Sequence, residues 1–369
     1  MDEEETHTAV LSMLNSWVVM SNRLVLPGTP AQGLKFSNQE QLARRNEFVV
    51  PSIPSPVKDN LLKTIGPLLI FKKVIGRGAF GEVHTGKIMK ESKWIDVAVK
   101  LQERDTKKAV FNNELKFYQL SENWNESSIP KLFYYGTDLC HRVLAIELLG
   151  PSLERLFRQC GGRFSLKTTL LLADQMIACI EALHNKGFIH RDLKPDNFVM
   201  GINGKESMVH LVDYGAVESY LDKNNMHKRE RSTNTITGTL TYLSLNAHAG
   251  NQLSRKDDLI SLYYMFAQFL MGKLPWQTST EYRRFEEKIE EVKLLKGKKL
   301  WCVFHETPGA FYSFYYAISL LKFHQKPDYE FLRNLFRGLA VAEKIEYDFV
   351  FDWTQPKRVC KSGESSTSS

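Results

Sequence analysis

The feature that most restricts the fold of this chain is a change, near its middle, from β-like to helical spacing of its apolar residues. Residues 68–149 alternate short β-like runs with turn signals, and one helical stretch at about 107–120 interrupts them. Farther on, apolar residues recur at helical spacing, as in 166–185 and in 257–272, where aspartates suit a helix N-terminus. The pattern predicts an α+β protein with a small β-rich lobe followed by a larger, mostly helical lobe.

The two predicted lobes lie between segments of different composition. Residues 1–66 hold the strings PGTP and PSIPSP, which are typical of an extended linker, and residues 10–18 have the spacing of one short amphipathic helix. The last residues end in SGESSTSS, a composition typical of disorder. We therefore predict a largely flexible N-terminal extension at 1–66, a small lobe at 67–149, a helical lobe at 150–353 and a disordered tail at 354–369.

Composition argues against several other classes of protein. Hydrophobic residues make up 43% of the 369 residues and charged residues 25%, which is an ordinary globular mixture. The five cysteines form no C-x-x-C pair, so we expect neither a disulfide framework nor a zinc site. The acidic start MDEEET is unlike a secretory leader, and the apolar runs at 262–271 and 311–321 are shorter than the ~20 residues of a membrane span. We expect a cytoplasmic protein, with the nucleus as a second location.

A glycine-rich string, IGRGAFGEV, stands at residues 75–83. Gly76, Gly78 and Gly81 form G-x-G-x-x-G, which alone is compatible with a dinucleotide site, a nucleotide-binding hairpin or a plain turn. A dinucleotide site needs a helix after the loop, but the following EVHTGKIM has no helical stripe and contains Gly86. We therefore predict a strand–turn–strand hairpin, in which bare glycines let backbone N–H groups approach a triphosphate.

A lysine and a glutamate follow the hairpin at positions that suggest a pair. Lys100 ends the strand-like run IDVAVK, and Glu114 shares one helix face with Val110 and Phe117. Because a carboxylate among inward apolar residues is costly unless it is paired, Lys100 is its natural partner. Such a pair would hold the lysine toward the α- and β-phosphates of a nucleotide. The alternative is an exposed glutamate at a helix edge.

The string HRDLKPDN at 190–197 carries the most specific chemistry. Asp192 could accept a proton from an attacking hydroxyl, Lys194 could steady a transferred phosphoryl group, and Asn197 could bind Mg²⁺. Asp213 follows in HLVDYG, at a strand–turn junction that suits a metal bridging phosphates. Together these parts predict phosphoryl transfer by positioning and charge neutralisation.

The assembled motifs resemble a eukaryotic protein kinase, and most closely the casein kinase I family. The matching strings are ELLGPSLERLF, FSLKTTLLLADQM, HRDLKPDNFVMG, SRKDDLISL, KLPWQ, KPDYEFLRNLF and YDFVFDW. SLN at 244–246 resembles the S-I-N that this family has where most kinases have A-P-E. The resemblance covers about residues 67–353, and the tau-tubulin kinases are the second candidate within the class. It implies a bilobal kinase fold, ATP and Mg²⁺ as cofactors, and serine or threonine acceptors in protein substrates.

The resemblance also implies the residues that bind the nucleotide. They would be Ile75, Gly76, Arg77, Gly78, Ala79, Phe80, Gly81, Glu82, Val83, Lys100, Glu114, Glu147 and Leu149. Ile75 and Val83 would enclose the adenine and the ribose, and Ile146 would be the gatekeeper. Glu147 to Leu149 would form the hinge, with the backbone of Leu149 facing the adenine.

The same resemblance implies the catalytic and metal-binding roles. Asp192 would be the base, with Lys194 and Asn197 as the further catalytic residues. Asn197 and Asp213 would bind Mg²⁺, and Asp258 would anchor the catalytic loop from below. The family needs no phosphate on its activation loop, so the resemblance implies activity without an upstream kinase.

The chain departs from the family at the pocket that binds a phosphate already present on the substrate. Glu218 and Ser219 stand where the family has two lysines, and Asn234 and Thr241 replace a lysine and an arginine, while Arg191 is kept. An anion site that loses cations loses charge-assisted hydrogen bonds, so we predict weak dependence on primed, prephosphorylated substrates. Three nearby cations could compensate for the loss, namely Lys228, Arg229 and Arg231.

Two other classes of function compete with an active serine/threonine kinase. A catalytically weak, kinase-like scaffold usually lacks a catalytic residue, and none is missing here. The net charge of +7 would suit a nucleic-acid-binding protein, whose best local candidate is KLLKGKK at 293–299. We interpret that stretch as the solvated end of a charged helix. Most of the charge excess falls within 67–353, so we expect acidic protein substrates and no nucleic acid. We also expect a monomer.

Overall fold

The computed structural model describes residues 60–78, 81–104, 108–277 and 284–354. The predicted amphipathic helix near the N-terminus, the two proline-rich strings and the predicted tail beyond residue 354 lie outside these residues. In the described part of the chain, no helix combines the length and the apolar character that crossing a membrane requires.

The first part of the described chain forms one antiparallel sheet. Its strands are β1 (Leu61–Ile65), β2 (Leu68–Gly78), β3 (Gly81–Lys90), β4 (Lys93–Glu103), β5 (Leu132–Thr137) and β6 (His141–Glu147). They lie side by side in the order β1-β2-β3-β4-β6-β5. Alternate residues such as Leu68, Val97 and Val143 turn to one face and build a core of their own. β1 pairs with β2, so the sheet begins before residue 67, where the sequence places the start of the small lobe.

Helix α1 (Lys108–Ser121) interrupts the sheet between β4 and β5, close to the helix predicted at 107–120. Its inward residues, Phe111, Glu114 and Phe117, are buried. Phe117 stacks on Tyr214, with ring centroids 4.0 Å apart, which ties the helix to a loop of the larger lobe. This contact decides where Glu114 lies relative to the rest of the site.

The second part of the chain is mainly helical. Its helices are α2 (Leu153–Gln159), α3 (Leu166–Asn185), α4 (Leu245–His248), α5 (Arg255–Met271), α6 (Phe285–Glu306), α7 (Gly309–Ser319) and α8 (Tyr329–Ala342). Two short antiparallel pairs accompany them, β7 (Phe188–Ile189) with β10 (Glu218–Ser219) and β8 (Phe198–Met200) with β9 (Val209–Leu211). The α+β fold with two lobes that the sequence predicts is confirmed.

Helix α5 is the central element of the helical lobe. At its start the carboxylate of Asp257 accepts the backbone N–H group of Ser254 at 2.8 Å, and it ends before Gly272, whose φ is 84°. Side chains all round the helix are buried, including Leu259, Leu262 and Phe266. A helix buried on every side provides a fixed base for the loops that carry the site.

The lysine-rich stretch at 293–299 lies within α6 and not at its end. Gly297 does not break the helix, because apolar positions such as Val292 and Val303 continue the buried stripe on both sides of it. Lys296, in the middle of the stretch, is wholly buried. The interpretation of this stretch as a solvated helix end is therefore wrong.

Candidate active site

The glycine-rich string forms the predicted hairpin between β2 and β3. Gly78 lies opposite Gly81, and Gly76 lies opposite Val83. Gly81 has a φ of 139°, and a Cβ at that position would collide with a backbone carbonyl of β4, so the position requires glycine. Gly78 and Gly81 place no side chain at the turn that would keep a phosphate from the backbone N–H groups. Two predicted residues at its tip, Ala79 and Phe80, lie outside the described residues.

Side chains on the two arms of the hairpin support its shape. Arg77 Nε lies 3.0 Å from Glu82 Oε1, which joins the arms across the turn. Ile75 is exposed and Val83 is half-buried. Val83 is also paired with Lys100 of β4, so the lysine lies directly beside the hairpin.

Lys100 joins two carboxylates that come from different parts of the chain. Its Nζ lies 2.6 Å from Oε2 of Glu114 on α1 and 3.0 Å from Oδ1 of Asp213. Glu114 is buried, so the lysine compensates a charge that would be expensive alone. Burial by itself lowers the pKa of Lys100, but the two carboxylates outweigh it and raise that pKa above its ordinary value. The ammonium group therefore stays charged beside the hairpin.

Asp192, Lys194 and Asn197 lie together on the catalytic-loop string. Lys194 Nζ lies 3.2 Å from Oδ2 of Asp192, and Asn197 Nδ2 donates to the backbone carbonyl of Asp192 at 2.9 Å. A short 3₁₀ turn over Pro195–Asn197 brings the asparagine back toward the aspartate. The amide thus fixes the loop with its N–H group, and its oxygen is the atom that could bind a metal ion.

Asp258 of α5 holds the catalytic loop from beneath. Its carboxylate accepts the backbone N–H groups of His190 at 2.7 Å and Arg191 at 2.9 Å, and it contacts His184 Nε2 at 2.9 Å. Burial would raise the pKa of Asp258, yet these hydrogen bonds and the neighbouring His184 hold it below its ordinary value. Arg191 has a φ of 70°, which an arginine rarely adopts, and the hydrogen bond to its N–H helps to maintain it.

The loop that carries Asp213 is fixed against α1. Asp213 has left-handed backbone angles, φ 64° and ψ 69°. Tyr214 is wholly buried and donates its hydroxyl to the carbonyl of Leu211 at 2.9 Å. Asn113 of α1 donates to the carbonyls of Gly215 and Val217 at 3.0 and 2.7 Å. No local pattern in the sequence points to Asn113, whose role depends on two carbonyls more than a hundred positions away.

The oxygen donors around Asn197 and Asp213 suit a magnesium ion. The N–H group of Val212 donates to the carbonyl of Asn197 at 2.9 Å, so the two candidate ligands lie on adjoining strands of backbone. One carboxylate and one amide oxygen are ligands that Mg²⁺ accepts when phosphates and water complete its shell. Among the described residues there is no group of three or more His, Cys, Asp or Glu that could hold a metal without such help.

The predicted hinge runs from Ile146 at the end of β6 toward α2. The backbone N–H group of Glu147 donates to the backbone carbonyl of Lys131 at 2.9 Å. The carboxylate of Glu147 accepts from Nζ of Lys205 at 3.3 Å. The Glu147 side chain is therefore engaged within the protein. Leu149 follows as a half-buried residue between the two lobes.

Thr239 is a site residue that the sequence reasoning missed. Its hydroxyl donates to Oδ1 of Asp192 at 2.7 Å, while Lys194 contacts the other oxygen of the same carboxylate. The string TGTLTYLS contains this threonine, but its contact with Asp192 joins residues 47 positions apart. Nothing local in the sequence distinguishes it from its neighbouring threonines.

At the position of the predicted pocket for a substrate phosphate, the protein holds a carboxylate of its own. Glu218 accepts from Arg191 Nη1 through one oxygen and from Lys228 Nζ at 2.9 Å through the other. Burial would raise the pKa of Glu218, but Arg191 and Lys228 keep it below its ordinary value. Of the nearby cations, Lys228 therefore joins Arg191 at Glu218, and we call these three residues the Glu218 cluster. Arg231 donates to Gln252 at 3.2 Å instead, and Arg229 is exposed.

The family model described as the protein kinase domain matches residues 69–326. That match covers more than half of the chain and includes the glycine hairpin, the Lys100 pair, the catalytic loop and Asp213. A protein kinase domain uses ATP as its substrate and transfers a phosphoryl group to protein. The chain belongs to the protein kinase family.

Proposed function

We propose that this protein kinase is catalytically active, that it phosphorylates serine and threonine, and that it is a divergent member of the casein kinase I family. One observation carries the proposal. The carboxylate of Asp192 is held by Thr239 at 2.7 Å and by Lys194 at 3.2 Å, while Asn197 binds its backbone. A base oriented in this way is ready to receive a substrate hydroxyl.

The chemistry follows from these positions. Asp192 accepts the proton of the acceptor hydroxyl while the oxygen of that hydroxyl forms a bond to the γ-phosphorus. The bond from the γ-phosphorus to the β,γ-bridging oxygen breaks, and ADP is released. Lys194 stabilises negative charge on the transferred group, and Lys100 positions the α- and β-phosphates. Asn197 and Asp213 would hold Mg²⁺, which supplies further charge neutralisation.

The string SLN at 244–246 supports the assignment to the casein kinase I family. Ser244 donates to Oδ1 of Asp257 at 2.6 Å, and Asn246 lies 3.3 Å from the same oxygen. This family has S-I-N where most kinases have A-P-E, and the polar pair anchors the segment to the first turn of α5. The tau-tubulin kinases are the second candidate within the class.

The Glu218 cluster supports activity without activation-loop phosphorylation and weak dependence on priming. A phosphate would bind there by forming charge-assisted hydrogen bonds with Arg191 and Lys228. Glu218 already forms those bonds. An incoming phosphate would have to displace it, so the net gain from binding is small. The charge excess outside this cluster favours acidic stretches of the substrate.

Phosphoamino-acid analysis tests the proposal. The protein is incubated with Mg²⁺, γ-labelled ATP and casein, and the labelled casein is hydrolysed to its amino acids. We expect label on phosphoserine and phosphothreonine and none without Mg²⁺. Label on phosphotyrosine alone would contradict the proposed specificity, and absence of transfer by a protein that binds ATP would favour a scaffold.

A further inference from the structure

Lys296 of α6 is a buried lysine that donates to two backbone carbonyls. Its side chain is wholly buried, and Nζ lies 2.7 Å from the carbonyl oxygen of Leu240 and 2.5 Å from that of Leu243. The third neighbour of Nζ is His248 Nε2 at 3.3 Å. The rings of Tyr264 and Trp276 face the amine at 4.9 and 5.6 Å.

The two carbonyls belong to a run of four that is held throughout by side chains. Trp276 Nε1 donates to the carbonyl of Thr241 at 2.9 Å, and Ser261 Oγ donates to that of Tyr242 at 2.8 Å. Every carbonyl from 240 to 243 therefore accepts a hydrogen bond from a side chain of the helical lobe. We call residues 240–243 the clamped segment.

Burying a lysine at this position lowers the stability of the fold, and its hydrogen bonds to the two carbonyls have to offset that cost. Burial of an ammonium group is unfavourable, and burial lowers the pKa of Lys296 well below its ordinary value. In either protonation state the amine keeps at least two N–H donors for the two carbonyls. An apolar residue would fill the space among Tyr264 and Trp276 at lower cost, but it would leave both carbonyls without this donor.

The clamped segment adjoins the residue that orients Asp192. Thr239 directly precedes it and donates to Asp192 at 2.7 Å. The residues that follow Thr239 therefore begin beside the carboxylate that the hydroxyl of an acceptor peptide would have to reach. None of the four held carbonyls belongs to β2, β3, β4 or the Asp213 loop, which carry the nucleotide-binding candidates.

We propose that Lys296 is a positioning residue for the acceptor peptide. It fixes the clamped segment to α5 and α6, and thereby sets both the docking surface for the peptide and the position of Thr239 against Asp192. The inference rests on the proposed role of Asp192 as the base. It concerns transfer to the peptide and leaves nucleotide binding unaffected.

The test compares Lys296→Met with Lys299→Met in the full chain. Methionine has a similar length and cannot donate a hydrogen bond, and Lys299 is an exposed lysine of the same helix. For each variant we would measure kcat and KM for an acidic serine peptide, the KM for ATP, ADP binding, and ATP hydrolysis without peptide. Trp276→Phe and Ser261→Ala, which remove the other two donors, form a second set.

We expect Lys296→Met to lower kcat/KM for the peptide by about tenfold or more, because a small displacement of reacting groups is enough to slow transfer that much. ADP binding and the KM for ATP should stay unchanged, and Lys299→Met should match the unmutated protein. A purely structural lysine would instead lower peptide phosphorylation and ATP hydrolysis by the same factor, which would overturn the inference. An unchanged peptide kcat/KM would overturn it too.

The second set decides the question if Lys296→Met does not fold. Trp276→Phe and Ser261→Ala should each lower peptide transfer more than ATP hydrolysis, and equal effects on the two reactions would reject the inference. Failure of the proposed function can be told apart from failure of this inference, because in the first case the unmutated protein would transfer no phosphate to the peptide at all.

Discussion

The hydroxyl of Thr239 lies 2.7 Å from Oδ1 of Asp192. Lys194 approaches the other oxygen of that carboxylate at 3.2 Å. The proposed base is thus oriented by one partner from its own loop and by one from the segment along which a substrate would lie.

Thr239→Val should lower kcat for a serine peptide by roughly 10- to 100-fold, since valine keeps the shape of threonine but cannot hold the carboxylate. Thr239→Ser, which keeps the hydroxyl, should retain most of the activity. Steady-state kinetics with both variants check this, with ADP binding as the measure of folded protein. Equal kcat values for the valine and serine variants would contradict the role of the hydroxyl.

Glu218→Gln should make the kinase respond to priming. The change removes the charge that neutralises Arg191 and Lys228, and a substrate phosphate could then form charge-assisted hydrogen bonds with both. We expect the ratio of kcat/KM for a primed over an unprimed peptide to rise about tenfold, the equivalent of ~1.4 kcal/mol. Glu230→Gln, at an exposed acid of the segment that follows β10, is the control and should leave the ratio unchanged.

If the unmutated protein already prefers the primed peptide strongly, the idea that Glu218 occupies the pocket is wrong. A rise in the ratio for Glu218→Gln from a starting value near one would support it. The two peptides should differ only in the phosphate, so that the comparison isolates this group.

His248 should make stability depend on pH in the weakly acidic range. Burial first, and then the neighbouring Lys296, lower the pKa of His248 from 6.5 to about 4. In the unfolded chain His248 binds a proton as the pH falls below about 6.5, whereas in the folded protein it binds one only near pH 4. The contribution to stability is therefore complete above pH 6.5 and disappears as the pH falls to about 4.

His248→Gln should remove that part of the pH dependence. Over this range the unmutated protein should lose up to about 3 kcal/mol more free energy of unfolding than the variant does. Urea denaturation at several pH values measures the difference. Parallel curves for the two proteins would show that His248 is not held neutral by the fold.

Asp258→Asn should weaken both the fold and catalysis. Asp258 accepts two backbone N–H groups of the catalytic loop and contacts buried His184, and an asparagine amide would place a donor against one of these partners. We expect the free energy of unfolding to fall by about 3 kcal/mol. Asp96→Asn, which affects an exposed ion pair with Lys87, should change it by less than ~1 kcal/mol. An Asp258 variant as stable as the Asp96 variant would contradict the anchoring role.

Some of the site could be predicted because the role of each residue follows from its neighbours in the sequence. The position of Glu114 on an inward helix face requires a partner, and the structure supplies it in Lys100 at 2.6 Å. The glycine hairpin follows from the absence of a helical stripe after the glycines. The period of apolar residues predicts α3 with its observed bounds, whereas α5 begins two residues before the predicted start at 257.

Other parts depend on contacts that no local pattern contains. Lys296 reads as one more cation in a lysine-rich run, and only the carbonyls of Leu240 and Leu243, folded against α6, make it a buried donor. Glu218 reads as a lost cation, but its two oxygens reach Arg191 and Lys228 at once. Each of these depends on long-range geometry, which sequence spacing does not specify.

The most direct test of the central claim is phosphoryl transfer by Asp192→Asn. Asparagine preserves the shape of the side chain and the backbone contact with Asn197, but it cannot accept the proton of the substrate hydroxyl. With Mg²⁺, γ-labelled ATP and casein, we expect steady transfer by the unmutated protein. The variant should lose at least about 100-fold in kcat while ADP binding stays unchanged. Equal transfer by the two proteins, or none by the unmutated one, would contradict the account.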